Sequence, residues 1–378
     1  MSFVSSDFLL IDSASHQKIM ALAKTLFTSR YHLTYELINR CCVDLAIEVL
    51  DQIARADDYF ALQTFPEQTA YQYRTILDIL HEEGLVSLSS SQTQWRKLPS
   101  KRWVQADCRH LCRQGTEQFS ESQSMFDLIA LCREGMVSFL TGHRSGVDVL
   151  FPKGDGSIWY RYNNENALLS VYAQLVAAAV DSYARQDSPL NILEVGSGTG
   201  AGTAAIVTAV GERIGSYLYS DLGSTFLRQG RERFGNLPYI NYKKLDINIP
   251  LVEQGITPGS VDVVVGVNAV HTARNLECTL CSLKQVIRPG GWLFIGEGSP
   301  PFLVSRWKPD IIFGLLDGWW NVNVTPTRPR AGFLTPSEWC KLLTNAGFEF
   351  VHALPGQNFF KPGPCYGGVV IGISPTEN

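Results

Sequence analysis

Three glycines at alternate positions, Gly196, Gly198 and Gly200, follow the short apolar run Ile192-Leu193-Glu194-Val195. Glycines so spaced let the backbone turn through positive φ, and let a ligand approach where a Cβ would collide. A helix-compatible stretch from Ala201 to about Glu212 comes next, so the segment predicts the strand, glycine turn and helix of a nucleotide-type cofactor site. Glu194 before the glycines, and Asp221 about twenty residues after them, suit a ribose carrier without phosphates. The spacing G-x-G-x-G-x-G across Gly196 to Gly202 also departs from the dinucleotide pattern G-x-G-x-x-G. Adenosylmethionine matches these features better than a dinucleotide does.

Further candidates fall where a parallel sheet presents the carboxyl ends of its strands. Asp221 closes the second predicted strand, Asp246 follows the third, near the adenine, and Asn268 ends the fourth. With their neighbours, the candidate cofactor set is Glu194, Gly196, Ser197, Gly198, Gly200, Asp221, Leu222, Asp246, Ile247 and Asn268. His271 stands directly beyond the valine-rich run Val261–Val267. An imidazole there is either a general base, its pKa being close to neutral, or a capping histidine at a loop start. Glu297 ends the neighbouring run Trp292–Gly296. The other six histidines form no spaced cluster, and no metal is expected. The nine cysteines include Cys278-x-x-Cys281 on one predicted helix, without a second pair at zinc spacing. Buried or free thiols in a reducing cytoplasm are the expectation.

The elements that must position these groups are legible from residue 191 onward. Predicted strands are Ile192–Val195, Tyr217–Ser220, Tyr239–Leu245, Val261–Val267, Leu293–Gly296, Phe348–Leu354 and Gly368–Ile373. Predicted helices are Ala201–Glu212, Ser224–Phe234, Asn275–Ile287 and Pro336–Ala346, with Arg288-Pro289-Gly290-Gly291 as a turn from helix to strand. Such alternation predicts an α/β fold, a mostly parallel sheet with helices on both faces. Val261 to Val267 reads as a strand buried on both faces. Residues 15 to about 150 read as mainly helical. Among them, Tyr73, Ile76, Leu77 and Leu80 recur at helical spacing before Gly84, and a strand-turn-strand pattern (Leu85–Leu88, Ser89–Ser91, Gln92–Leu98) follows, a winged-helix-like signature. The turn-rich Phe151–Gly156 divides the chain into a lid-like domain at 1–150 and a core at 151–378, and the long helix Ala167–Arg185 leads into the glycine strand.

A net charge of −4 and the acids Asp78, Glu82 and Glu83 on the helix before the hairpin argue against nucleic-acid binding. No stretch reaches the roughly 18 uncharged apolar residues of a membrane span, and the N-terminus lacks the basic start of a secretory signal.

Residues from about 147 to 373 resemble the C-methyltransferase domains of polyketide synthases. The resemblance rests on VLFPKG from Val149, LEVGSGTGAGT, LYSD, the long stretch LDINIPLVEQGITPGSVDVVVGVNAVHTARNL, IRPGGWLFIGE and GLLDGWW. The glycine motif is common to class I methyltransferases; the Glu-Gln-Gly to His-Thr-Ala stretch and the Gly-Trp-Trp segment are far narrower. The resemblance implies a seven-stranded Rossmann-like sheet with an N-terminal lid. It implies methyl transfer from S-adenosylmethionine, giving S-adenosylhomocysteine, to the α-carbon of a β-ketoacyl chain on the phosphopantetheine arm of an acyl carrier protein. The family's histidine base and its glutamate partner match His271 and Glu297. No ketosynthase, acyltransferase or carrier sequence is present, so either a standalone enzyme or one domain of a larger synthase is implied.

The chemistry suits the residues. A β-ketothioester has an acidic α-carbon, so one base near neutral pKa generates the enolate, and a carboxylate beside an imidazole fixes its tautomer and raises its basicity. Methyl transfer to that carbon then needs alignment and exclusion of water rather than a metal. Trp319 and Trp320 are candidate walls of an acyl channel, or ordinary packing under a loop; Tyr162, with Tyr160 and Tyr172, is a candidate lining residue. Arg328 and Arg330 read as surface charges in preference to contacts with a pantetheine phosphate or a carrier helix. Rival readings are an O-methyltransferase acting on a hydroxyl of a small natural product, a degenerate scaffolding domain, and a dehydrogenase.

Overall fold

A computed structural model describes residues 6–53, 59–61, 65–89, 94–183, 188–300, 307–355 and 366–376. The chain packs as two compact units that interleave in sequence. One comprises Ser29–Leu168 and Val304–Asn321, the other Met1–Thr28, Leu169–Leu303 and Val322–Asn378. The cut expected between residues 150 and 151 falls inside the first of these, between the helix Gly146–Leu150 and the turn Pro152–Gly154.

In the first unit, the helix Glu67–Glu82 buries Tyr73, Ile76, Leu77 and Leu80, the residues whose spacing predicts it. It ends at Gly84, which takes φ +67°. Strands β1 (Tyr59–Ala61), β2 (Val86–Leu88) and β3 (Gln94–Lys97) pair antiparallel in the order β1-β3-β2, so a hairpin follows the helix. Of the expected turn and second strand, residues 90–93 lie outside the described residues.

Among the described residues the second unit holds seven strands: β4 (Leu190–Val195), β5 (Ile214–Asp221), β6 (Ile240–Lys244), β7 (Val261–Val267), β8 (Ile287–Gly298), β9 (Glu349–Leu354) and β10 (Gly367–Ile373). Their order is β6-β5-β4-β7-β8-β10-β9. The first five run parallel, and β10 is antiparallel to both of its neighbours. The mostly parallel seven-stranded sheet expected from the sequence is present. The helices Ala201–Val210, Ser224–Phe234, Leu276–Val286 and Pro336–Asn345 fall within a residue or two of their predicted ranges. The long helix runs Ala167–Tyr183; Arg185, its expected end, lies outside the described residues. Two of the caps come from local chemistry: Asn275 accepts from the Cys278 amide, and Thr335 and Glu338 form a reciprocal capping box.

One face of the sheet buries Leu193, Val195, Val264, Leu293 and Ile295 against Leu280 and Leu283 of one helix and Leu342 of another. Each such side chain contributes about 1.5–3 kcal/mol by leaving water. Arg288–Gly291 differs from expectation. It is a kink within β8 rather than a turn before it, because Ile287 already pairs with Val261 and the ladder resumes at Trp292 opposite Val263. Gly290 absorbs the kink at φ +69°.

Gly296, in the middle of β8, has no room for a side chain: a Cβ would lie 2.6 Å from Val176 and 3.0 Å from the Tyr172 carbonyl oxygen. Gly296→Ala is expected to cost about 1–3 kcal/mol by overpacking the helix against the sheet. Denaturant unfolding checks this, and wild-type stability would contradict that packing.

Candidate active site

The strand order reverses between β4 and β7, so the crevice at a switch point opens at the carboxyl ends of these strands. The glycine loop leaves β4 there. Gly196, Gly198 and Gly200 take φ of +61°, +54° and +82°, which L side chains adopt only with strain. A Cβ on Gly196 would collide with Ala269 at 2.5 Å, whereas one on Gly198 would meet nothing nearer than 3.9 Å. The loop is thus packed on one side at Gly196 and open at Gly198. Ser197 ties it to β5: its amide donates to the Ser220 carbonyl at 2.9 Å, and its hydroxyl accepts from the Ser220 amide at 3.1 Å.

Asp221 ends β5 and faces the loop. Its two carboxylate oxygens accept from the Gly198 amide at 2.9 Å and the Gly223 amide at 2.7 Å. Burial raises its pKa, while the amides of Gly223, Gly198 and Leu222 pull it back. The carboxylate keeps acceptor capacity beyond these amides, which is what a ribose hydroxyl requires. Leu222 beside it is exposed, Ile247 is half-buried against the core, and Asp246 accepts from the amide and side chain of Asn248, both at 2.9 Å. An open glycine face, a diol acceptor and an apolar neighbour fit the adenosyl end of adenosylmethionine. Gln254, within the stretch that carries the family resemblance, accepts from the Asp246 amide at 2.9 Å and donates to its carbonyl at 2.8 Å.

Glu194 is placed differently from the other candidates. It is buried beneath the loop, where it accepts from the Tyr217 hydroxyl at 2.8 Å and from the Thr203 hydroxyl. Burial pushes its pKa up to about 7, against the opposing hydrogen bonds from Thr203, Tyr217 and Ser197. A Cβ on Gly202 would lie 2.3 Å from its Oε1, so the last glycine of the run serves this carboxyl group.

Beyond β7 the backbone turns at Asn268, whose φ of +49° is a conformation that asparagine tolerates better than most residues. Its amide donates to Gly296 at 2.8 Å, and its Oδ1 accepts from the Gly298 amide at 3.2 Å. These bonds lace the end of β7 to β8 on either side of Glu297. A short 3₁₀ turn, Val270–Thr272, then carries His271 back over β8. His271 Nδ1 lies 2.7 Å from Glu297 Oε2, and the His271 amide donates to Oε1 at 3.2 Å. Both side chains are buried, and Phe333 packs on the imidazole at 4.4 Å. With Glu297 as a carboxylate acceptor, Nδ1 carries the proton and Nε2 is the basic nitrogen of the neutral ring.

Arg328 contradicts the expectation of a surface charge. Only 2% exposed, it donates from Nη2 to the His271 carbonyl at 2.5 Å and from Nη1 to the Ala273 carbonyl. The carbonyls of the turn provide partners that charge and flanking prolines alone could not announce. Arg330 pairs with Glu338 at 3.1 Å.

The candidate lining residues Tyr162, Trp319 and Trp320 belong to the other unit. Tyr162 and Trp319 are buried against Phe313, at 5.7 and 5.3 Å, while Trp320 stacks on Tyr71 at 5.6 Å. Tyr172 is held in the sheet unit by its hydroxyl, which donates to the Tyr366 carbonyl at 2.6 Å. Among the described residues no group of three or more His, Cys, Asp or Glu could hold a metal ion, and no helix is long and apolar enough to cross a membrane.

Residues 193–293 match the family described as a methyltransferase domain. The chain is 29% identical over 252 residues to the polyketide synthase PksR of Bacillus subtilis, covering 64% of this chain and 10% of that protein. It is 37% identical over 175 residues to the methyltransferase calH of Penicillium decumbens, covering 45% of this chain and 46% of that one. The chain spans about a tenth of the length of the polyketide synthases it matches. The CurJ carbon methyltransferase has the same fold, with a TM-score of 0.83 at 22% identity over 97% of this chain and 99% of that one.

The buried Glu194 makes stability depend on pH. Its folded pKa of about 7 lies above the ordinary 4.5, so between these values the folded protein holds a proton that the unfolded chain releases. Its contribution to stability therefore falls as pH rises through that window. Glu194→Gln removes the dependence, and the stability of the variant relative to wild type is expected to improve by up to about 3 kcal/mol between about pH 4 and 8. Urea midpoints across that range check this; a constant difference would mean that Glu194 binds its proton equally well in the folded and unfolded chains.

Proposed function

We propose that this chain, an S-adenosylmethionine-dependent methyltransferase of polyketide-synthase type, methylates the α-carbon of a β-ketoacyl thioester carried by an acyl carrier protein, in the cytoplasm. The observation that carries the reading is the His271–Glu297 pair, 2.7 Å apart at the carboxyl ends of β7 and β8. The curated relatives that are polyketide synthases support the substrate class, and the free thiols suit a reducing compartment.

Asp221 and Leu222, the open face at Gly198, and Asp246 with Ile247 would hold the adenosyl end of S-adenosylmethionine. That cofactor supplies a methyl group already activated on a sulfonium, so methyl transfer needs an electron pair on the acceptor carbon. His271 Nε2 takes the α-proton and leaves that pair as an enolate. Glu297 fixes the ring by Nδ1 and stabilises the imidazolium that forms, without itself being protonated. A general base so oriented contributes about 10²–10⁴-fold. The ketone and thioester carbonyls that flank the α-carbon together make its proton acidic enough for an imidazole, whereas an α-carbon beside a thioester carbonyl alone would be beyond its reach.

His271→Ala is expected to abolish turnover of a β-ketoacyl thioester while leaving cofactor affinity nearly unchanged; steady-state rates and calorimetry report the two. Asp221→Ala is expected to weaken cofactor binding instead, with the Kd rising about tenfold or more for the lost charge-assisted acceptor. The methylated atom is to be located by NMR on β-ketoacyl and β-hydroxyacyl thioesters assayed side by side. Methyl found only on oxygen would establish the O-methyltransferase reading in place of this one.

A further inference from the structure

The buried guanidinium of Arg328 has no place in the reaction as described. Its Nη2 donates to the carbonyl of His271 at 2.5 Å and its Nη1 to the carbonyl of Ala273, so one planar fork spans the turn that carries the imidazole. Glu297 holds the amide of the same residue at 3.2 Å and its ring at 2.7 Å. His271 is therefore gripped at its N–H, its C=O and its Nδ1, and Phe333 covers the ring.

Charge points the same way. Glu297 is 2% exposed. Burial lowers the pKa of Arg328 to about 10, and the nearby Glu297 opposes that fall. A cation buried only to hold a loop would be a poor bargain, because its desolvation costs several kcal/mol and backbone carbonyls repay only part of that.

We propose that Arg328 is a positioning residue for methyl transfer: it locks the His271 turn through two backbone carbonyls and so holds the imidazole against Glu297. The inference rests on His271 being the base. Arg328 acts through that residue and touches neither cofactor nor acceptor.

The test compares Arg328→Met, Arg328→Lys, His271→Ala and the double variant His271→Ala/Arg328→Met in the full chain. The readouts are kcat and KM for a β-ketoacyl pantetheine thioester, S-adenosylmethionine Kd by calorimetry, and thermal unfolding. Arg328→Met is expected to lower kcat about 10²-fold or more, with KM and Kd within about twofold of wild type. Arg328→Lys should recover part of that loss, since lysine keeps the charge but reaches only one carbonyl. The double variant should be no slower than His271→Ala alone, because a residue acting through the base has nothing left to act on.

Wild-type kcat in Arg328→Met would overturn the proposal. So would a double variant slower than His271→Ala, or a loss of kcat matched by an equal loss of cofactor affinity, since both mark a general structural role. Should Arg328→Met fail to fold, Arg328→Lys decides: it must show reduced kcat at unchanged Kd. Wild-type turnover in His271→Ala would instead defeat the base assignment itself, whatever the Arg328 variants do.

Discussion

The hydrogen bond between the buried His271 and Glu297 forms only because the backbone holds both residues in place, and much of the surrounding structure contributes to that. β7 and β8 are parallel neighbours, with Val267 opposite Gly296. That register puts Glu297 one residue beyond the point where β7 ends. Asn268 then turns the chain through a left-handed conformation and ties it to β8 on both sides of Glu297. The 3₁₀ turn that follows returns His271 to the carboxylate. The apolar layer beneath, with Val264, Leu293 and Ile295, keeps the two strands in that register, because a slip of one residue would send Glu297 to the other face.

The glycine loop obeys a similar logic on the other side of the switch point. Its positive φ angles are sustained by partners that are themselves fixed in the sheet: Ser220 and Asp221 at the end of β5, and Ala269 beyond β7. Glu194 belongs to this support. Buried among Thr203 and Tyr217, it braces the loop against the start of the following helix from below. Two acids that look alike in the sequence thus have different duties. Asp221 keeps acceptor positions toward the open side of the loop, and Glu194 spends its hydrogen bonds inside the protein.

Residue type and spacing alone determine a good deal here. Period-2 and period-3.6 patterns give the helices of the sheet unit within a residue or two and locate every strand, though β5 and β8 begin several residues earlier than predicted, because burial on one or both faces writes itself directly into the order of apolar positions. The glycine run and the acids at strand ends mark a candidate cofactor crevice, and His271 and Glu297 are recognisable as candidates because both follow strands. The kink at Arg288–Gly291, by contrast, reads locally as a turn; only pairing of Ile287 with Val261 makes it part of β8.

What the tertiary structure alone decides is the partnership of groups distant along the chain. Arg328 is flanked by prolines and by Arg330, and nothing local distinguishes it from a surface charge. Its burial depends on two carbonyls more than fifty residues away, at His271 and Ala273. The same holds for Glu194 with Tyr217, and for the chain's division into interleaved units that place Trp319 with Tyr162 against Phe313. Local pattern records which face of an element is buried. Which polar group meets which inside the fold is set by packing between elements, where an unpaired buried charge is too costly to remain.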